Sequence, residues 1–150
     1  MKRLGIYFFF DKDGIVDKYV DYVLEDLTKH VDKLIVVCNG QLNERGRKTF
    51  EKFTGNIIVR ENKGFDVWAY KTAIDSEGWN KLIEYDEIIL MNYTIMGPVY
   101  PLKEMFDIMD KRLELDFWGI TKCFQENSPV AQQIWQCPYG YIPEHIQSSF

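Results

Sequence analysis

The sequence predicts an α/β protein: a three-layer α/β/α arrangement with a mostly parallel sheet. Short apolar runs rich in β-branched and aromatic residues alternate with segments of helical periodicity. Those runs are apolar continuously, not at every second residue, which suits strands buried on both faces. The stretches between them are long enough to hold the crossover helices that parallel strands require. At 150 residues the chain is expected to form a single domain, 1–150, with a core of ordinary size.

Leu4–Phe10 (LGIYFFF) is the first such run, closed by Asp11-Lys12-Asp13-Gly14. Ile15, Val16, Tyr19, Val20, Val23, Leu24 and Leu27 then recur at helical spacing, with Asp17, Asp21 and Glu25 opposite, which predicts a helix over about Ile15–Lys29. Lys33–Cys38 is the second strand and ends at the turn signal Asn39-Gly40. Asn43 is a suitable N-cap for a helix that carries Phe50 and Phe53 inward, although Gly46 lies inside it. Ile57–Arg60 is the third strand, and a helix from about Asp66 to Ile74 follows, broken at Ser76-Glu77-Gly78. Trp79–Glu84 adds a short helical turn, and Glu87–Met91 is the fourth strand. Pro101 fits the first turn of a helix with an apolar stripe of Leu102, Met105, Phe106, Met109 and Leu113. Asp116–Thr121 reads as a fifth strand, and 122–143 as a long aromatic, proline-punctuated loop.

Composition narrows the function. A net charge of −5 makes nucleic-acid phosphates and anionic membranes poor electrostatic partners. Cys38, Cys123 and Cys137 are odd in number and form no CxxC pair, against a disulfide framework or a structural zinc site. No apolar run is long enough to span a bilayer, and the first one is too short for a signal peptide, so a cytoplasmic protein is expected. There is no GxxxxGK[ST] phosphate loop, no GxGxxG and no GxSxG elbow, and His30 and His145 lie far apart in sequence.

What remains is a row of polar strand exits. Parallel strands bring them to one edge of the sheet, where open α/β proteins bind ligands. They are Asp11 and Asp13; Asn39; Asn62-Lys63-Gly64-Phe65-Asp66; Asn92-Tyr93-Thr94; and Thr121-Lys122. Gly64 permits a reversal at positive φ, and Asp66 falls in the first turn of the following helix, where it either caps free N–H groups or faces a ligand. A nucleotide suits this edge. Phe10 or Phe65 would flank a base, Asn39 or Asp66 would accept from base or ribose donors, and Lys63 would meet a phosphate. Each of these residues taken singly would also suit an ordinary turn.

Two stretches, NKGFDVWAYK and LMNYTIMGPVYPL, together with IYFFFDKDGIVDKYVDYVLEDLTKHVDKLIVVCNG, DFWGIT and EHIQSSF, resemble the rhamnan synthesis protein F family along nearly the whole chain. The resemblance implies a GT-A-like glycosyltransferase of cell-surface polysaccharide assembly. It implies a nucleotide-sugar donor such as dTDP-rhamnose and a growing glycan or lipid-linked glycan as acceptor. It also fits a cytoplasmic protein seated at the inner face of the membrane. Asn39, Asn62, Lys63, Gly64 and Asp66 are then the expected donor-binding residues, with Asn92 and Thr94 near the diphosphate. Asp116, Glu144 and His145 are the candidate catalytic bases.

Two departures from the family pattern bear on this reading. The family commonly carries an acidic residue directly after the position of Asn92, where GT-A enzymes supply carboxylate to Mg²⁺ or Mn²⁺. Tyr93 stands there instead and offers no ligand a hard cation favours, so weak or absent metal dependence is expected. The family also continues past HIQSSF, so the domain is expected to be truncated at its C-terminal end. A strand cut short would leave an unpaired edge, from which a homodimer that binds donor without transferring sugar is expected. Two other readings compete: a non-catalytic module of the same fold that binds a nucleotide sugar or a protein, and a flavodoxin-like or receiver-like domain. A receiver lacks its phosphorylatable aspartate here, because the third strand ends in Arg60-Glu61-Asn62.

Overall fold

The computed structural model describes residues 1–120 and the backbone of 122–123 and 145–146. The chain divides into two compact units, Met1–Arg112 and Leu113–Phe150. The first unit holds β1 (Arg3–Phe10), α1 (Lys18–Leu27), β2 (Lys33–Asn39), α2 (Glu44–Glu51), β3 (Ile57–Arg60), α3 (Phe65–Glu77), α4 (Trp79–Leu82), β4 (Glu87–Asn92) and α5 (Leu102–Met109). Its sheet runs β3-β2-β1-β4 with every ladder parallel. Consecutive strands step outward from β1 to β3, and the chain then crosses back to lay β4 on the other side of β1. This is a doubly wound order with its switch point between β1 and β4. In a flavodoxin-like or receiver-like order β3 would lie beside β1. Here β3 pairs with β2, and that alternative is excluded.

The central strand β1 is buried on both faces. Tyr7 and Phe9 point to one side, where they meet Val20, Val23, Leu24 and Leu27 of α1 and Phe50 of α2. Leu4, Ile6 and Phe8 point to the other, against Ala69 and Ala73 of α3, with Leu82 of α4 at the margin. Each large side chain buried this way contributes roughly 1.5–3 kcal/mol, and helices on both faces are what make a continuous apolar strand soluble. The small alanines of α3 let its backbone lie close over β1 and β2.

Local chemistry sets the element ends. The Asn43 side chain accepts from the Gly46 N–H at 2.6 Å and caps α2 as expected. Gly46 is tolerated in that helix because a Cβ there would come within 2.8 Å of Val16 Cγ2 and 2.9 Å of the Gly14 carbonyl. The first helix begins at Lys18, not Ile15. Asp11 Oδ1 accepts from the N–H groups of Asp13 and Ile15, and Gly14 sits at φ +69°, so residues 11–15 form a turn. The third helix runs past the expected break to Glu77 and stops at Gly78, φ +91°. Leu113 lies beyond the end of α5 and is exposed, so the apolar stripe of that helix closes at Met109.

In the second unit the expected fifth strand does not form across residues 116–120, and Thr121 lies outside the described residues. Phe117 and Ile120 are exposed, Gly119 weakens the run, and no ladder partner is present among the described residues. Pairing begins only at β5 (Lys122–Cys123), antiparallel to β6 (His145–Ile146). No helix among the described residues is long and apolar enough to cross a membrane.

Glu77 anchors the far end of α3. Its carboxylate takes an ion pair from Lys33 at the start of β2 and a hydrogen bond from the Tyr85 hydroxyl at 2.9 Å. The Lys33 hydrogen bond holds the Glu77 carboxyl below the usual glutamate range, against the effect of burial, and Tyr85 adds to it. Burial and the hydrogen bond to Glu77 push the Tyr85 phenol up to about 12. Because folding lowers the Glu77 pKa, its stabilisation is complete above the unfolded value of about 4.3 and is lost as pH falls through the folded value. Glu77→Gln should cost on the order of 1–3 kcal/mol at neutral pH and flatten the stability curve below about pH 4.3. Urea midpoints for both proteins across that range check this. An acid limb unchanged in the variant would assign the acid sensitivity to other groups.

Candidate functional site

The carboxyl ends of all four parallel strands lie on one edge of the first unit. β1 ends at Phe10, β2 at Asn39, β3 at Arg60 and β4 at Asn92. From Arg60 the chain turns through Glu61-Asn62-Lys63-Gly64 into α3, which packs on β2 and β1. The loop is thereby carried from the outer strand β3 back across the sheet toward the switch point.

Asn39 holds the near half of this loop. It is fully buried, and its Oδ1 accepts from Arg60 Nη1 at 2.6 Å. Its Nδ2 donates to the Phe65 carbonyl at 3.1 Å and to Asn62 Oδ1 at 3.4 Å. Gly40, at φ +80°, continues the edge, with its N–H on the Arg60 carbonyl at 2.7 Å.

Asp66 holds the far half. One carboxylate oxygen accepts from the Val67 N–H at 2.9 Å and the other from Asn92 Nδ2 at 3.3 Å. Asn92 Oδ1 in turn accepts from the Thr94 N–H at 3.2 Å, which fixes the exit of β4. The two strand exits that the sequence singled out are therefore hydrogen-bonded to each other. Gly64 takes φ +73°, and a Cβ there would collide with the Trp68 indole. Phe65 follows at φ +54°, a strained conformation for a bulky residue, and is 82% exposed. Lys63 is exposed, its Nζ 5.8 Å from the centre of the Trp68 ring.

Tyr93 is committed elsewhere. Its ring packs edge-on against Phe8 and Phe9, centroids 5.6 Å from each, and its carbonyl accepts from the Tyr19 hydroxyl at 2.8 Å. Burial raises the pKa of Tyr19, so the phenol stays protonated and donates. Burial also raises the Tyr70 pKa, with Asp66 adding to it, and pushes the Cys38 thiol up to about 12, which makes that cysteine an inert part of the core. No group of three or more His, Cys, Asp or Glu side chains that could hold a metal ion occurs among the described residues. At the β4 exit the Asp66 carboxylate meets the Asn92 amide, and the next residue, Tyr93, turns its ring into the aromatic core and offers a hard cation no carboxylate.

The structure thus brings Asn39, Asn62, Lys63, Gly64, Asp66, Asn92 and Thr94 to one edge. Asp116 is exposed in the second unit, Glu144 lies outside the described residues, and of His145 the backbone alone is described. Sequence reasoning missed Arg60, the last residue of β3. The signal that could have found it is a cation at a strand's carboxyl end, just before NKGFD.

The model of the rhamnan synthesis protein F family matches residues 34–150, from β2 through the edge just described to the end of the sequence. The chain belongs to the rhamnan synthesis protein F family. Membership assigns it to rhamnan synthesis and so to polysaccharide biosynthesis. No protein of curated function and no solved structure matches the chain. Both stretches most specific to the rhamnan synthesis protein F resemblance, NKGFDVWAYK and LMNYTIMGPVYPL, contribute to the Asp66–Asn92 contact.

Asn39→Ala should leave the Phe65 carbonyl without this donor and the Arg60 guanidinium without this acceptor, costing on the order of 2–3 kcal/mol. Amide hydrogen exchange should accelerate in residues 61–66 more than in the core of β1. Uniform acceleration across the sheet would mean that Asn39 supports the whole fold and has no special hold on the loop.

Proposed function

We propose that this chain binds a nucleotide-sugar donor, dTDP-rhamnose or a close relative, at the carboxyl edge of its sheet. It acts as the donor-binding part of a glycosyltransferase that extends a cell-surface rhamnose polysaccharide. The observation that carries this reading is the Asp66–Asn92 hydrogen bond, which unites the two family-specific strand exits near the switch point, where open α/β sheets take ligands. The exposed Phe65 ring offers a face for a base, and Lys63 a charge for a phosphate. Glycosyl transfer requires a stabilised diphosphate leaving group and a base for the acceptor hydroxyl. The edge supplies groups for the first requirement. For the second, Asp116, Glu144 and His145 stay as candidates from the sequence. A donor-binding module without catalysis is the competing reading, favoured by Tyr93 packing into the aromatic core where a carboxylate would serve a metal.

Asp66→Asn tests the donor site. Both Asp66 oxygens accept hydrogen bonds, and an amide can replace one of them, so the expected stability loss is about 1 kcal/mol. Affinity for dTDP-rhamnose should fall about tenfold or more, because a charge-assisted acceptor is lost. Unchanged affinity in the variant would reduce Asp66 to a cap that braces the two loops.

Metal dependence follows from Tyr93. Donor affinity measured by calorimetry should change little between Mn²⁺ and EDTA. A large loss on chelation would mean that ligands beyond the described residues complete a metal site.

A further inference from the structure

We infer that Arg60 is an anion-binding residue and that it receives the diphosphate of the donor, an assignment that rests on the donor-binding reading above. Most lysines and arginines of the described chain are well exposed, and water solvates their charges. Arg3, Lys33 and Arg60 are the ones shielded from it. Arg3 is paired with Glu87 and Asp110, and Lys33 with Glu77. Arg60 has no carboxylate partner among the described residues, and its side-chain hydrogen bond goes to the neutral amide of Asn39. A half-buried cation is normally matched by an anion, because desolvating an unpaired charge is costly. The missing anion is therefore expected from a ligand.

Position and shape identify the class of anion. Arg60 ends β3 at the ligand-binding edge, and its Nη1 is held by a fully buried amide, so the guanidinium is oriented before any ligand arrives. A guanidinium has five donors in a planar fork suited to two phosphoryl oxygens at once, and Asn39 engages only one nitrogen of it. Lys63, three residues on and likewise without a carboxylate partner among the described residues, adds a second positive charge. No group of three or more possible metal ligands occurs at this edge among the described residues, so Arg60 and Lys63, both on the β3 exit, are placed to neutralise a diphosphate.

Calorimetry with dTDP, thymidine and inorganic pyrophosphate, on wild type, Arg60→Gln and Arg60→Lys, tests the assignment. Glutamine retains a donor for Asn39 Oδ1 and lysine retains the charge, so the two variants separate loop support from anion binding. Wild type should bind dTDP. Arg60→Gln should lose about tenfold to a hundredfold in affinity, and Arg60→Lys less. Thymidine binding should be the same in all three proteins. On the wild type itself, the Arg60 Nε–H resonance should shift on addition of dTDP, a readout that does not depend on how well either variant folds. Unchanged dTDP affinity in Arg60→Gln, or an unmoved Arg60 resonance in dTDP-saturated wild type, overturns the role of Arg60 and leaves the donor reading standing. Pyrophosphate binding that depends on Arg60, in a protein that ignores dTDP, keeps the anion site and removes the donor reading. A wild type that binds neither removes both.

Discussion

Asn39 is a primary amide with no access to water, and the carboxyl edge of the sheet is arranged around its hydrogen bonds. Its position at the end of a central parallel strand leaves the side chain beneath the β3–α3 loop. There it must be satisfied by protein groups, since a buried amide left unpaired is expensive. Arg60, Asn62 and the Phe65 carbonyl supply those partners. In doing so they draw the loop inward and hold Phe65 at a positive φ that it would not adopt in isolation. The strained, exposed ring and the oriented guanidinium are thus two consequences of one buried amide. A site built this way is ordered by the core and needs no ligand to form it.

The β4 exit shows the same economy with different chemistry. Tyr93 closes the gap beside β1 by packing on Phe8 and Phe9, side chains that belong to opposite faces of the sheet. The Tyr19 hydroxyl bonds to its carbonyl and ties α1 to this exit. The aromatic ring at this exit points inward and strengthens the core. The neighbouring β3 exit carries two cations, Arg60 and Lys63. That division between an aromatic exit at β4 and a cationic exit at β3 gives the rhamnan synthesis protein F reading its particular form in this chain.

Much of the fold was legible because its strands are buried on both faces, and continuous runs such as IYFFF and LIVVC have few other uses. The alternation of strand and helix, the Asn43 cap and the strand Ile57–Arg60 all follow from local pattern and are observed. Local pattern failed where a distant contact decides. Residues 15–17 look helical by periodicity, but the Asp11 carboxylate captures the Ile15 N–H and the helix starts at Lys18. α3 runs on to Glu77 because Lys33 and Tyr85, from other elements, anchor that residue. DFWGIT has strand-like composition, but composition cannot provide a ladder partner.

The sequence by itself determined the class of fold, the polar character of the strand exits and the family, because strand burial and turn chemistry are short-range properties written in neighbouring residues. It also marked Gly64, where the close approach of Trp68 leaves no room for a side chain. Only the tertiary structure decided the strand order, and with it the exclusion of a flavodoxin-like arrangement. Only the tertiary structure joined Asp66 to Asn92, turned Tyr93 inward, and left Arg60 half-buried beside an amide in place of a carboxylate. The reason is physical. Which polar groups must pair, and which charge stays unmatched, depends on what lies within hydrogen-bonding distance across strands, and residues 21 or 26 positions apart meet only after the sheet has formed.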